Sequence, residues 1–307
     1  MGVQSVIAHA RRRFLVADNI LAIGRGRKRT GGETLDVPAV IFYVRKKGPH
    51  HHDADSRIPR KLYDRDSSGS VDRSRHFRTD VREVGRIEAV SSGRQCSSSF
   101  RKGTASLVFD APGGDSREVY VLTCAHVIGD VHLKTPGFKR VKLRLPGSGY
   151  ARGSRLHQIS QQNGRLEFDI AIARLDDGAP TVPLRVVPKD GTSLTRFMNP
   201  PLPQDRRVKI LGCKTGIVKS GRIVGPLHTS VPIPFVGGSL LVRNLYVIED
   251  FTPKSGDSGG IVYARDRAVG LVVAKFSTGG CLFHSLYSAT KRLLRNSSLD
   301  FDVDQIF

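Results

Sequence analysis

The sequence predicts a mainly β protein of the barrel or sandwich class, with short helical segments near its two ends. From about residue 94 onward, short β-type runs recur between Gly, Pro, Asp and Ser: TASLVFD, EVYVLTCAHVI, KLRL, FDIAIARL, RVKILGC, LLVRNLYVIED, GGIVYAR and AVGLVVAKF. In that stretch only residues 288–295, SATKRLLR, carry a convincing helical pattern. The 307 residues are 39% apolar and 25% charged, an ordinary globular composition that allows one or two compact units and excludes a disordered chain.

Residues 3–16 read as a short basic amphipathic helix. ILAIGRGRKRTGG follows as an apolar segment and a Gly-rich turn region, and then a β-rich run extends from Val37 to Val44. Residues 48–78 are polar, charged and rich in turn formers, which reads as a long loop. They hold His50, His51 and His52 beside Asp53 and Asp55, a solvated run or an adventitious metal ligand set. A strand near Asp80–Val84 leads into the β-rich remainder. The chain thus divides into a small N-terminal α+β module over residues 1–90 and a β-rich domain over residues 91–307.

Lys and Arg number 49 against 28 Asp and Glu, a formal net charge of +21. Residues 1–90 carry 19 basic and 11 acidic side chains, leaving 30 and 17 for residues 91–307, so the excess is spread along the chain. Such a charge attracts polyanions, and a chain from a basic proteome would show it equally. Nucleic acid as a partner lacks support from any motif: aromatics are only 7% and Trp is absent, so stacking platforms are few. No run approaches the roughly 18 apolar residues of a membrane span, and the N-terminus has neither the apolar length nor the cleavage site of a secretory signal. A cytoplasmic protein without membrane contact is the expectation. Cys96, Cys124, Cys213 and Cys281 lie far apart with no CxxC spacing, so free thiols are expected, and no metal or cofactor.

Three segments carry chemistry. In PKSGDSGG, residues 253–260, glycines flank Ser258 and allow a tight turn and a close approach of substrate. A serine hydroxyl becomes a nucleophile only with a base to take its proton and donors for the oxyanion, and the Gly256 and Ser258 N–H groups could converge on one oxygen. Taken alone, the same residues could form a plain Gly-rich turn. In EVYVLTCAHVI a β-run ends at Ala125–His126 before a short helical turn, which puts an imidazole at the rim of a rigid element. A lone His there is more often structural. In LEFDIAIARL, Asp169 stands at the mouth of a strand, where a carboxylate could orient an imidazole or simply close a turn. Asp176 and Asp177 are rivals in an exposed DDG turn.

Together, in the order His126, Asp169, Ser258, these segments resemble the trypsin-like (chymotrypsin-fold) serine peptidases over about residues 94–295. The resemblance implies two packed six-stranded antiparallel β-barrels with the site between them. It also implies His126 as general base and then acid, Asp169 as its orienter, Ser258 as nucleophile, and Gly256 with Ser258 as oxyanion hole. DNILAIGRGRKRTGG, PAVIFYVRKK and TDVREVG are similar to the front module of intracellular bacterial trypsin-like peptidases and their plant relatives, and GCKTGIVKSGRI to a second-barrel hairpin of that group. Residues 1–90 are accordingly expected to pack on the peptidase.

One departure from that family is the lack of an Ile-Val-Gly-Gly type activation site near residues 90–100, so either Asp257 finds a partner other than a newly cut N-terminus or the oxyanion hole is formed or induced differently. Activation by a protein partner is one consequence. The resemblance also implies that Thr252, six before Ser258, stands where trypsin proper has an acid selecting Arg or Lys, and a neutral residue there argues against strict basic selection. The strand Leu271–Lys275 is expected to pair with extended substrate backbone, and Lys275 and His284 could favour an acidic residue before the scissile bond or could equally face solvent. The function expected is a serine endopeptidase acting on protein or peptide substrates through an acyl-enzyme on Ser258. The alternative is a non-catalytic basic module on a peptidase scaffold that binds nucleic acid or a protein partner.

Overall fold

The computed structural model describes residues 3–48, 58–65, 70–90, 104, 106–113, 116–128, 141–145, 149–159, 161–175, 192–212, 219–235, 237–297, 299 and 301–306. His50–His52, Cys96, Asp176, Asp177 and Cys213 fall outside these residues. Cys124 and Cys281 are buried free thiols.

The chain opens with α1 (Val3–Phe14), whose residues Val6, Ile7, Ala10 and Phe14 recur at helical spacing and are buried. They pack on β1 (Ile20–Thr30) and β2 (Glu33–Val44), with Phe14 edge-on to Phe42 at 5.4 Å. β3 (Lys61–Arg65) and β4 (Val71–Glu83) complete a sheet of order β1-β2-β4-β3, in which β4 runs parallel to β2 and antiparallel to β3. The loop expected over residues 48–78 is therefore corrected: residues 61–65 and 71–78 are strands. Backbone pairing on both sides of β4 overrides its charged composition, and the buried Leu62 anchors β3 to the apolar layer. β5 (Ile87–Ala89) then leaves this sheet for the β-rich domain.

The Gly-rich stretch read as a turn is also a strand. Gly24 and Gly26 lie within β1, where a Cβ would come 2.9 Å from the Pro226 carbonyl oxygen and 2.6 Å from Ile41 Cδ1. Their bareness lets the module close on the second barrel, where His228 N–H donates to Ile23 O at 2.9 Å and Ile23 N–H to Thr229 Oγ1 at 3.1 Å. The turn itself falls at Gly31–Gly32, both at positive φ.

The first barrel is represented by β6 (Leu107–Gly113), β7 (Ser116–Thr123), the single turn α2 (Ala125–Ile128), β8 (Val141–Leu145), β9 (Gly149–Gln158), β10 (Arg165–Leu166) and β11 (Ala171–Leu175). Five of these strands form one antiparallel sheet, β6-β7-β11-β9-β8, among the described residues. After β12 (Arg196–Phe197) come β13 (Arg207–Leu211), β14 (Lys219–Pro226), β15 (Val231–Phe235), β16 (Gly238–Val242), β17 (Leu245–Glu249), β18 (Ile261–Ala264), β19 (Arg267–Phe276) and β20 (Cys281–Ser285). The circuit β19-β18-β13-β14-β17-β20 closes because β20 pairs back onto β19, giving a six-stranded barrel. The small sheet β10-β16-β15 links the two halves. α3 (Leu286–Arg295) follows, its N-terminus capped by the Ser285 hydroxyl accepting from Ser288 N–H, and buries Leu286, Ala289, Leu293 and Leu294.

A buried ion network fastens the N-terminal sheet to the second barrel. Arg82 donates to Asp80 at 2.9 Å, to Glu249 of β17 at 2.5 Å and to the Arg27 carbonyl at 2.7 Å. Arg29 reaches the same Glu249 at 3.1 Å, and Arg222 of β14 lies 3.6 Å from it. Removing this buried cation takes the guanidinium from Asp80 and leaves Glu249 dependent on the longer Arg29 and Arg222 contacts. Arg82→Ala is therefore expected to lower the unfolding free energy by about 3 kcal/mol, with Arg82→Lys recovering only part because an ammonium cannot fork to all three acceptors. The check is the urea midpoint, and an unchanged midpoint in Arg82→Ala refutes the role given to the network.

Candidate active site

β7 ends at Thr123, and Cys124 and the first turn of α2 follow, so His126 stands at the rim of the first barrel. Asp169 lies two residues before β11, which is antiparallel to β7 with Ala171 opposite Thr123. That register brings the two side chains together. His126 N–H donates to Asp169 Oδ1 at 3.0 Å, and His126 Nδ1 is hydrogen-bonded to Asp169 Oδ2. Asp169 is fully buried, which alone would raise its pKa, but the contacts with His126 outweigh burial and hold the carboxyl below its ordinary value. An ionised Asp169 requires the proton on Nδ1 of the imidazole and leaves the Nε2 lone pair as the base.

A second histidine supports the first pair. Asp169 N–H donates to His284 Nε2 at 2.9 Å, and the other ring nitrogen faces the Asn244 carbonyl at 3.2 Å. His284 is therefore neutral with its proton on Nδ1. Burial drives its pKa down to about 4, partly offset by Asp169 and the Asn244 carbonyl. The expectation that His284 reads an acidic substrate residue is corrected: on β20 its ring is wholly buried and braces Asp169 from behind.

Ser258 sits in the turn before β18, and that turn is tied to the first barrel through Thr104. Thr104 N–H donates to Ser258 O at 2.7 Å, Thr104 Oγ1 to Gly256 O at 3.1 Å, and Thr123 Oγ1 to Thr104 O at 2.6 Å. Ser106 Oγ donates to Gly259 O. Gly259 has φ +80°, and a Cβ there would lie 2.0 Å from Thr104 O, so only glycine fits this crossing. Thr104 and Ser106 escaped the sequence reading, and the run of small hydroxyl residues in TAS was the available signal. Cys124 bridges the same region, with Sγ donating to Val272 O at 3.2 Å beside Asp169. Its thiol is raised well above its ordinary pKa by burial and by Asp169.

Ser258 is fully buried, and among the described residues its Oγ makes no hydrogen bond, so no hydrogen bond joins it to the His126 imidazole in this structure. The Phe235 ring packs 5.2 Å from the His126 ring. Gly256, at φ +101°, directs its N–H to the Val90 carbonyl at 2.5 Å. Asp257 is buried and accepts from Lys254 N–H at 2.8 Å, closing its own turn. Thr252 is exposed and opens on a cleft of about 620 Å³ between the N-terminal sheet and the second barrel, lined also by Arg29, Arg82, Glu249 and Phe276. Lys275 Nζ pairs with Glu88 Oε2 at 3.3 Å.

Cys124, His126 and Asp169 place three donor atoms within 4.8 Å of one another. Metal binding would need a thiolate. The Nδ1–Asp169 bond leaves Nε2 able to ligate, but burial and Asp169 raise the Cys124 thiol well above its ordinary pKa and its Sγ donates to Val272 O, so this donor set does not supply a thiolate to a metal.

A closed six-stranded barrel, a second antiparallel sheet carrying an imidazole–carboxylate pair at its rim, and a GDSGG turn tied between them define a chymotrypsin-type, protease-like architecture. Solved structures similar to the chain include Thermobifida fusca protease A, at 18% identity over 67% of this chain and 94% of that one with a TM-score of 0.43. Nocardiopsis protease matches at 20% identity over 64% and 94% with a TM-score of 0.41, and Cellulomonas bogoriensis chymotrypsin at 20% over 69% and 94% with 0.39. No protein-family model matches the chain, and no curated protein matches it. No helix among the described residues is long and apolar enough to cross a membrane.

His284 makes the pair sensitive to acid. Its folded pKa of about 4 lies below the ordinary 6.5, so unfolding takes up a proton between those values. Stability is complete above about pH 6.5, falls as pH drops through this window, and levels off below about pH 4, with a slope of up to ~1.4 kcal/mol per pH unit. His284→Gln is expected to flatten that part of the profile in denaturant titrations at pH 4.5, 5.5 and 7. Identical slopes in the two proteins would contradict a neutral, buried His284.

Proposed function

We propose that the protein is a serine endopeptidase that cleaves peptide bonds through an acyl-enzyme on Ser258. The observation that carries this reading is the double hydrogen bond from His126 to the buried Asp169, which fixes the imidazole's tautomer beside the turn that holds Ser258. The roles follow from the chemistry. His126 Nε2 takes the Ser258 proton as Oγ attacks the substrate carbonyl carbon, and Asp169 stabilises the imidazolium that forms. The Gly256 and Ser258 N–H groups receive the developing oxyanion, and His126 then returns the proton to the leaving amine. Water, deprotonated by the same imidazole, hydrolyses the ester and restores the serine.

The open Ser258–His126 link supports a form that must be closed before it turns over, by substrate or by a protein activator. The charge of +21 supports a second reading, a basic module that binds a polyanion without catalysis.

Ser258→Ala is expected to keep the wild-type urea midpoint while abolishing covalent labelling by a fluorophosphonate probe and hydrolysis of a casein substrate. His126→Ala is expected to lower turnover by about four orders of magnitude, because triad members act as a unit. Labelling that persists in Ser258→Ala assigns the nucleophile elsewhere. An unlabelled wild type that is retained on heparin in a salt-dependent manner favours the binding module.

A further inference from the structure

The strand edge expected to pair with substrate is occupied by the chain itself. β5 runs antiparallel to the outer half of β19, with Ala89 opposite Ala274, Glu88 opposite Lys275 and Ile87 opposite Phe276. One residue further on, Val90 is fully buried, and its carbonyl oxygen accepts from the N–H of Gly256, two residues before the nucleophile. Val90 belongs to the same buried apolar cluster as Phe251, Val272 and Cys281, the residues that precede the nucleophile's turn or lie on β19 and β20. Glu88 and Lys275 face each other as an ion pair at 3.3 Å.

A peptide presented for acylation needs three things from this site. It needs an antiparallel edge for its backbone, a donor for the carbonyl that is attacked, and an apolar recess for the side chain at that carbonyl. The segment 87–90 satisfies all three in the right order along the chain. A strand recruited only to tether the module would need the first alone. The Glu88–Lys275 pair is partly solvated, with side chains 44% and 24% exposed, so it contributes little to stability. Its place opposite the pairing strand makes it a reader of charge two residues before the carbonyl.

Building on the endopeptidase reading, we infer that Ile87–Val90 is a built-in substrate mimic filling the acyl-side half of the Ser258 site, and that the peptides able to compete with it carry a small β-branched residue at the cleaved bond and an acidic residue two positions earlier. The expected dependence on Lys275 is thereby given a position: it acts two residues before the bond, beside Glu88, and the residue at the bond itself meets an apolar recess.

The test uses the full chain and a fluorophosphonate probe. Glu88→Lys sets two cations against each other at a partly solvated position, and labelling of Ser258 is expected to become about threefold faster than in wild type. The swap Glu88→Lys with Lys275→Glu restores attraction and is expected to return the rate to the wild-type value. In hydrolysis, acetyl-Ile-Glu-Ala-Val-aminocoumarin is expected to show a lower KM than its Ile-Lys-Ala-Val counterpart, with the order reversed in Lys275→Glu. A fragment ending at Val90 in wild type and absent from Ser258→Ala also supports the mimic. Equal labelling rates in wild type and Glu88→Lys overturn the mimic and leave the peptidase reading intact. Failure of every form to label overturns both.

Discussion

The constraint on which the site depends is a buried negative charge. Asp169 has no exposure to water, so its ionised form survives only if neighbouring groups replace the lost hydration. Two donations from His126 do this for the carboxylate, and His284 holds the backbone beneath it. Each of those groups is delivered by a different piece of the fold: the end of β7, the entrance to β11, and β20 of the closed barrel. The β7–β11 register and the β19–β20 closure are thus coupled to one carboxylate. Misplacing any of the three would strand a polar group in an apolar interior.

The N-terminal sheet belongs to the same logic at a larger scale. Bare backbone at Gly24 and Gly26 permits close approach to β14 and its neighbours, and the Arg82–Glu249 network fixes the angle of approach. With that angle set, the chain leaves β4 pointed along the outer half of β19, and Arg86 and Ser277 exchange hydrogen bonds at the entry. The delivery of Val90 to Gly256 is then a geometric result of docking. No flexible search is needed to bring it there.

Much of this was legible before any coordinates. Ala125–His126 and GDSGG are contiguous signals whose chemistry can be read locally, whereas Asp169 at a strand entry was indistinguishable from a turn residue until the family resemblance supplied the order His, Asp, Ser. What escaped were features created by pairing between distant segments. β15, VPIPF, carries two prolines at its exposed positions, which composition alone reads against a strand, yet it forms an edge of a small sheet where those missing donors face away. Glycines read as a turn in β1 serve close packing, and charged residues read as a loop are held as strands by β2. His284 looked like a candidate for recognition because its burial depends on the closure of the barrel, which no local pattern encodes.

The way β19 is shared among its neighbours carries a final consequence. One side of this strand is covered by β18 as far as Leu271 and by β5 from Ala274 onward, while β20 covers the other. Lifting β5 away would bare a short ribbon of unsatisfied amides and carbonyls flanked by apolar side chains, the kind of feature through which unrelated polypeptides stick to one another. Vulnerability to clumping therefore resides in the three residues of β19 that β5 covers, and a chain that stores its own cover over them keeps it in check.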